Sequence, residues 1–288
     1  MNMAITAKDV NELRLKTGAG MMDCKKALTE ADGNIDKAID ILRKKGAAVA
    51  AKRADKAANE GVVLTSISED KKTGFIVEVN CETDFVAKSD DFIAFTNFVL
   101  EKTQLNKPVS VDELFSKEAS LQTKLDEIVG KIGEKVVISR IGIAKAENGY
   151  VAGYVHPGAK LGVVITFENI AEDKFDLISG IAKDIAMQAA AMKPLSVYRE
   201  EVEQVIVDKE IEIYKELGRK EGKPEQILEK IAAGRINKFF QENCLNEQAF
   251  IKDNSKTVGD LVKETAVKAG TEVKIKSFLR YHLSDENK

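Results

Sequence analysis

Tryptophan is absent from this 288-residue chain, and aromatic residues of all kinds make up only 6% of it. That scarcity argues against an all-β sandwich, and the 32% of charged residues suits helices with long polar faces. Cys24, Cys81 and Cys244 are too few and too far apart for a disulfide framework, so each is expected as a small buried hydrophobe in a reducing compartment. The two histidines, His156 and His282, lack any Cys/His metal spacing, and no metal or cofactor is expected. No segment approaches the roughly eighteen apolar residues of a membrane helix. Residues 1–10 show neither an apolar leader nor an Arg/Ser-rich presequence, so the chain reads as cytoplasmic, of bacterial type and free of membrane. An excess of positive charge is missing too: a net charge of −3 provides no field to hold a polyanion, and direct nucleic-acid binding is not expected.

What is present is a change of hydrophobic period along the chain. At this length two or three domains are expected. Thr6 and Asp9 form a candidate capping box, with Val10, Leu13 and Thr17 on one helical face until Gly18 and Gly20 break it. A second helix near 22–31 carries Cys24, Ala27, Leu28 and Ala31, and Asn34 caps a third with Ile35, Ala38, Ile39 and Leu42 inward. Arg43-Lys44-Lys45-Gly46 reads as its end, with cations on the C-terminal dipole and a glycine cap. Residues 1–46 are therefore expected as a small three-helix module with an exposed apolar loop at Gly20-Met21-Met22, and the Ala- and Lys-rich 47–60 as a helical or linker-like segment.

From Gly61 the pattern becomes strand-like. Val62 to Ile67 and Gly74 to Val79 predict a hairpin, followed by helices near 90–104 and 112–130. Strands return at 136–144, 150–156 and 161–167, and another helix is expected over 175–192. Hairpin followed by helix thus occurs twice, with Gly74-Phe75-Ile76-Val77 and Gly162-Val163-Val164-Ile165 in equivalent places. The fold class is α+β: a core in two similar halves, 61–145 and 146–283, with antiparallel sheets. Within the second half, 197–243 read as two charged helices with narrow apolar stripes, Val202, Ile206, Ile213 and Leu217, then Ile227, Ile231, Ile236 and Phe240. Such stripes predict an antiparallel coiled-coil hairpin, a surface through which two copies could also pair as a homodimer. A C-terminal helical module, 244–272, precedes a last strand at 273–283.

Enzyme signatures appear only in fragments. Gly18-Ala19-Gly20 could open a dinucleotide fingerprint, yet Asp23 occupies the third glycine's place and no strand precedes it. No phosphate loop occurs, and the Lys-Thr-Gly triplets at 16–18 and 72–74 lack a Ser-x-x-Lys partner. The chain is therefore expected to be no enzyme. The most informative stretch is instead Val77 to Lys88, where a buried-type strand gives way to a helix and a carboxylate stands beside a ring at Asp84-Phe85. The plain reading has Asp84 capping the helix and Phe85 filling core.

The run Lys16 to Leu28, the run Ala31 to Ala38 and the motif Thr83-Asp84-Phe85-Val86-Ala87 occur in an order that resembles the elongation factor Ts family, over about residues 4–283. The resemblance implies a ubiquitin-associated-like N-terminal module and a guanine-nucleotide exchange function towards elongation factor Tu. It further implies that Asp84 and Phe85, with Val86 and Ala87, enter the partner's G domain and disturb its Mg²⁺ and phosphate site. Leu15, Met21 and Met22 would dock the module, Ile132 and Gly133 would touch the G domain, His156 the partner's third domain, and Ile251 and Lys252 a terminal contact. Asp55, Ala249 and Asn254 depart from the family's pattern. The competing class is an adaptor that recruits partners through the N-terminal module and the coiled coil, and such a protein needs no wedge at 83–87.

Overall fold

The computed structural model describes residues 5–285, so the first four positions of the segment read for a leader lie outside it. Thr6 and Asp9 close their capping box on α1 (Ala7–Thr17), and Gly18 ends that helix at φ 66°. α2 (Met21–Glu30) and α3 (Ile35–Lys52) complete the module around Leu13, Cys24, Leu28 and Ala38. Two expectations are corrected here. Met21 and Met22 form the first turn of α2 and are not loop residues. Nor does Gly46 cap α3, which runs on to Lys52. A Cβ on Gly46 would stand 2.1 Å from the carbonyl oxygen of Asp126, so glycine is there to let α3 cross another helix closely.

β1 (Glu60–Ile67) and β2 (Thr73–Cys81) form the expected hairpin. After the single turn α4 (Asp84–Ala87) come α5 (Asp90–Asn106), α6 (Val111–Lys117) and α7 (Ser120–Ile132), the expected helix near 112–130 being broken at Glu118-Ala119. α7 is the helix that Gly46 meets, and Gly130 faces it there. β3 (Val136–Lys145) then pairs with β2 in the order β1-β2-β3, all antiparallel.

The second half repeats this plan. β4 (Gly149–Val155) and β5 (Leu161–Glu168) form a hairpin, α8 (Phe175–Met192) follows, and the last strand adds to β5. Gly61 and Gly149 lie against the carbonyls of Val79 and Phe167, where no Cβ would fit. The central strands each carry a bulge at the same step, Glu78/Val79 and Thr166/Phe167. All these pairs stand at one offset, the same as Gly74 and Gly162.

Within the second half, after α8, α9 (Gln204–Lys220) and α10 (Glu225–Asn243) form the helical hairpin, its base joined by a bridge between Ser196 and Cys244. The seam matches the predicted stripes at Ile236, with Ile206, Ile231 and Phe240 half-buried, and differs elsewhere. Leu228, Ala232, Ile236 and Phe239 are buried, whereas Ile213, Leu217 and Ile227 face outward and Val202 precedes the helix. Gly218 lies under Leu228, so small residues rather than the isoleucines set the face along which the helices approach. Next come β6 (Ala249–Phe250), β7 (Asp253–Thr257), α11 (Val258–Ala269) and β8 (Lys274–His282), which completes the sheet β4-β5-β8. The stretch expected to lead into the helix of the C-terminal module thus forms a two-stranded ribbon, and the helix follows it.

The two sheets lie face to face. Val63, Ile76 and Ala144 of the first meet Val151 and Val164 of the second, and Gly74, Gly142, Gly153 and Gly162 let the sheets approach. Helices α5 and α7 cover the outer face of one sheet, α8 and α11 that of the other, giving four layers. Among the ionic ties between the halves, Arg140 on β3 bonds buried Glu78 at 2.7 Å and Asp285 at 2.8 Å, and its guanidinium lies 4.1 Å from the ring centroid of Tyr281. Among the described residues no helix is long and apolar enough to cross a membrane.

Candidate functional site: a braced turn with an exposed ring

The central strand β2 is buried almost throughout, and its end at Cys81 delivers the chain to the surface. Burial pushes the Cys81 thiol up to about 12, so it stays protonated beneath the turn. Thr83 is extended and caps α4, its hydroxyl accepting from the Val86 N–H, so the cap is Thr83 and not Asp84. Ser89 caps α5 directly afterwards and donates to the Val86 carbonyl at 2.8 Å. The ends of this four-residue turn are therefore held from both sides.

Phe85 is 83% exposed. It is not core, and the plain reading of the ring is excluded. Asp84 pairs with Lys88 at 2.7 Å, and that bond holds its carboxyl below the usual range, with Lys160 adding to the effect. Val86 is half-buried against the first-half core and Ala87 is 6% exposed within it. Ala87 thus anchors the turn from below, and the surface that α4 offers consists of Asp84, Phe85 and the outer side of Val86.

Two of the other expected contacts, at His156 and at Ile132-Gly133, lie beside this turn. The β4–β5 turn holding exposed His156 packs beside β1, since the Val63 N–H donates to the Ala159 carbonyl at 2.7 Å and Lys160 pairs with Glu60 at 2.7 Å. The His156 Nδ1 lies 2.8 Å from the Tyr154 hydroxyl. Ile132 is half-buried at the end of α7 and Gly133 is its left-handed cap, with open space where a side chain would stand. Leu15, 80% exposed, borders a groove walled by Phe95, Phe98 and Ile128, while Met21 and Met22 border a separate apolar groove with Ile5 and Val10. Ile251 and Lys252 sit elsewhere, on the β6–β7 turn: the Ile251 N–H donates to buried Gln188 of α8, and Lys252 pairs with Asp184.

Sequence reasoning missed what holds the turn. Glu134 accepts from the N–H groups of Glu82 (3.2 Å) and Thr83 (3.0 Å) and from the Thr83 hydroxyl (2.7 Å). Glu82 accepts from the Lys135 N–H at 2.6 Å and from Arg53 at 2.7 Å. No local pattern announces such partners, because they are some fifty residues apart in sequence.

The fold and the site define a class: a layered α+β protein with a helical N-terminal module, presenting an aromatic ring on a braced turn between its central strand and first core helix. A family model described as Elongation factor TS matches residues 82–285, beginning at that turn. A protein named Elongation factor Ts from Chloroherpeton thalassium is 46% identical over 98% of this chain and 99% of its own length. Proteins of the same name from Clostridium botulinum and Chlorobaculum parvum are each 45% identical, covering 96% and 97% of this chain and 92% and 98% of their own. This chain belongs to the elongation factor Ts family and is a translation elongation factor.

Proposed function

We propose that this protein is a guanine-nucleotide exchange factor for elongation factor Tu in the cytoplasm, acting by binding and performing no turnover chemistry of its own. The exposed ring of Phe85 carries the reading. Exposure alone would not set it apart, since Val109 and Val267 are as open, but a large ring fixed on a turn braced from both sides is placed to enter a pocket on a partner. A GTPase holds GDP through its phosphate loop and a Mg²⁺ that neutralises phosphate charge. A ring and a carboxylate, Phe85 and Asp84, entering beside that site would displace the elements that position the ion, weakening GDP. Only stronger binding to the nucleotide-free partner than to its GDP form can shift that equilibrium. By reciprocity, incoming GTP then expels the factor.

Leu15, Met21 and Met22 on the module, Ile132-Gly133 and His156 near the turn, and Ile251-Lys252 at the ribbon would add holding contacts. An adaptor has no need of a braced ring, and nothing in the geometry favours that alternative.

Release of fluorescent GDP from elongation factor Tu, with and without this chain, tests the reading. The expected result is a marked acceleration, and no GDP complex of micromolar or tighter affinity with the chain alone. Unchanged release, or tight nucleotide binding by the isolated chain, contradicts it.

A further inference from the structure

We propose that Glu134 is a positioning residue for the exchange contact, its carboxylate fixing where Phe85 points by tying the β2–α4 junction to the α7–β3 junction. The inference rests on the exchange reading above. A single helical turn does not hold itself, because fixing its dihedrals costs more than its one hydrogen bond returns. Here the turn's cap is oriented from outside. The Thr83 hydroxyl that accepts from the Val86 N–H gives its own proton to Glu134, while the second Glu134 oxygen takes the Glu82 and Thr83 N–H groups. The tie is returned in the opposite direction, since Glu82 takes the Lys135 N–H and Arg53 closes over both Glu82 oxygens. Residues 82–83 and 134–135 thus exchange side-chain to main-chain bonds.

Two consequences follow from the placement. Ile132 and Gly133 immediately precede Glu134, so the same clamp fixes the distance between that contact and the ring. Arg53 directly follows α3, so the clamp also joins the N-terminal module to the turn. Glutamine at 134 keeps one acceptor oxygen: with that oxygen on the two N–H groups its N–H₂ faces the Thr83 hydroxyl, which can no longer donate there, and the charge that strengthened all three bonds is gone. The turn would then spend part of its time with Phe85 off its binding pose, and apparent affinity falls by the fraction lost.

The test uses the full chain with Glu134→Gln, Phe85→Ala and the double variant. Amide hydrogen exchange is followed at Glu82, Thr83 and Val86, and GDP release from elongation factor Tu is followed against chain concentration. Glu134→Gln is expected to lower the melting midpoint, as loss of either clamp carboxylate should, and to speed exchange at those amides by more than the change in global stability accounts for. Release should need about tenfold more chain to reach half its maximum, with the maximum itself little changed, as a pre-equilibrium that leaves about a tenth of molecules competent requires. The double variant should be no worse than Phe85→Ala alone, because Glu134 acts through the ring. Glu134→Asp should restore part of the protection. Parent-like protection and release in Glu134→Gln, with Phe85→Ala defective, overturns the positioning role. Additive defects in the double variant also overturn it. Parent-like release by Phe85→Ala removes the exchange reading and this inference with it.

Discussion

Glu82 shows how much a single side chain contributes to the turn. Its carboxyl is held below the usual value near 4.5, first by the Lys135 N–H and then by Arg53, so the ionised form is the one that folding favours. A depressed native value means that this contribution is fully present above about 4.5 and is lost as pH falls through the native value. Glu82→Gln should therefore lower the melting temperature at neutral pH, and the gap between parent and variant should close as pH is taken below 4.5. Thermal melts of both proteins from pH 7 to 3 measure it, and a gap that does not change with pH contradicts the assignment. At this scale the sequence exposed the candidate contact but hid its support. Asp84-Phe85 stands out because a ring falls outside the apolar period that begins at Phe92. Glu82 and Glu134 look like ordinary surface carboxylates until folding brings two distant junctions together. Membership of the motif alone would put Ala87 in the contact, whereas its burial makes it the anchor.

Among the elements, α3 departs most from local expectation. Lys44-Lys45-Gly46 has the composition of a helix end, yet the helix continues because Gly46 and Gly130 provide the contact surface where α3 crosses α7. Two measures of one substitution disagree in sign. Helix propensity alone makes Gly46→Ala stabilising by up to about 1 kcal/mol. Packing places the new methyl 2.1 Å from the Asp126 carbonyl oxygen, a backbone atom that cannot swing aside, and overpacking of that kind costs about 1–3 kcal/mol. Gly46→Ala should therefore destabilise the protein and loosen the module from the core, as seen by chemical denaturation. A stabilised variant would show that the two helices do not press together here. The caps at Thr6 and Asn34 were legible because they are local. The seam of the α9–α10 hairpin was not. Apolar size pointed to Ile213 and Ile227, but the close approach is set by Gly218 and Ala232, which carry little hydrophobic signal.

For the whole molecule the internal repeat was the best guide. A glycine opening each hairpin and another near the start of each central strand are backbone requirements, so they persist at one offset while the surrounding side chains differ. The face-to-face packing of the two sheets could not be read in the same way. The strands look buried on both sides, which fits either a helix or a second sheet above them. The sandwich gives the molecule a rigid central strand from which the turn at 83–87 emerges, and the account assigns exchange to the ring on that turn. Phe85→Ala tests it most directly, with melting of the free protein and release of GDP from elongation factor Tu measured on the same sample. Because the ring touches water in the free protein, the melting temperature should stay near the parent's. Losing a central contact of about 2 kcal/mol or more should cut the accelerated release by an order of magnitude or more. A variant that loses about 3–5 kcal/mol of stability, as core truncation would cause, yet releases GDP normally per folded molecule, would contradict the account.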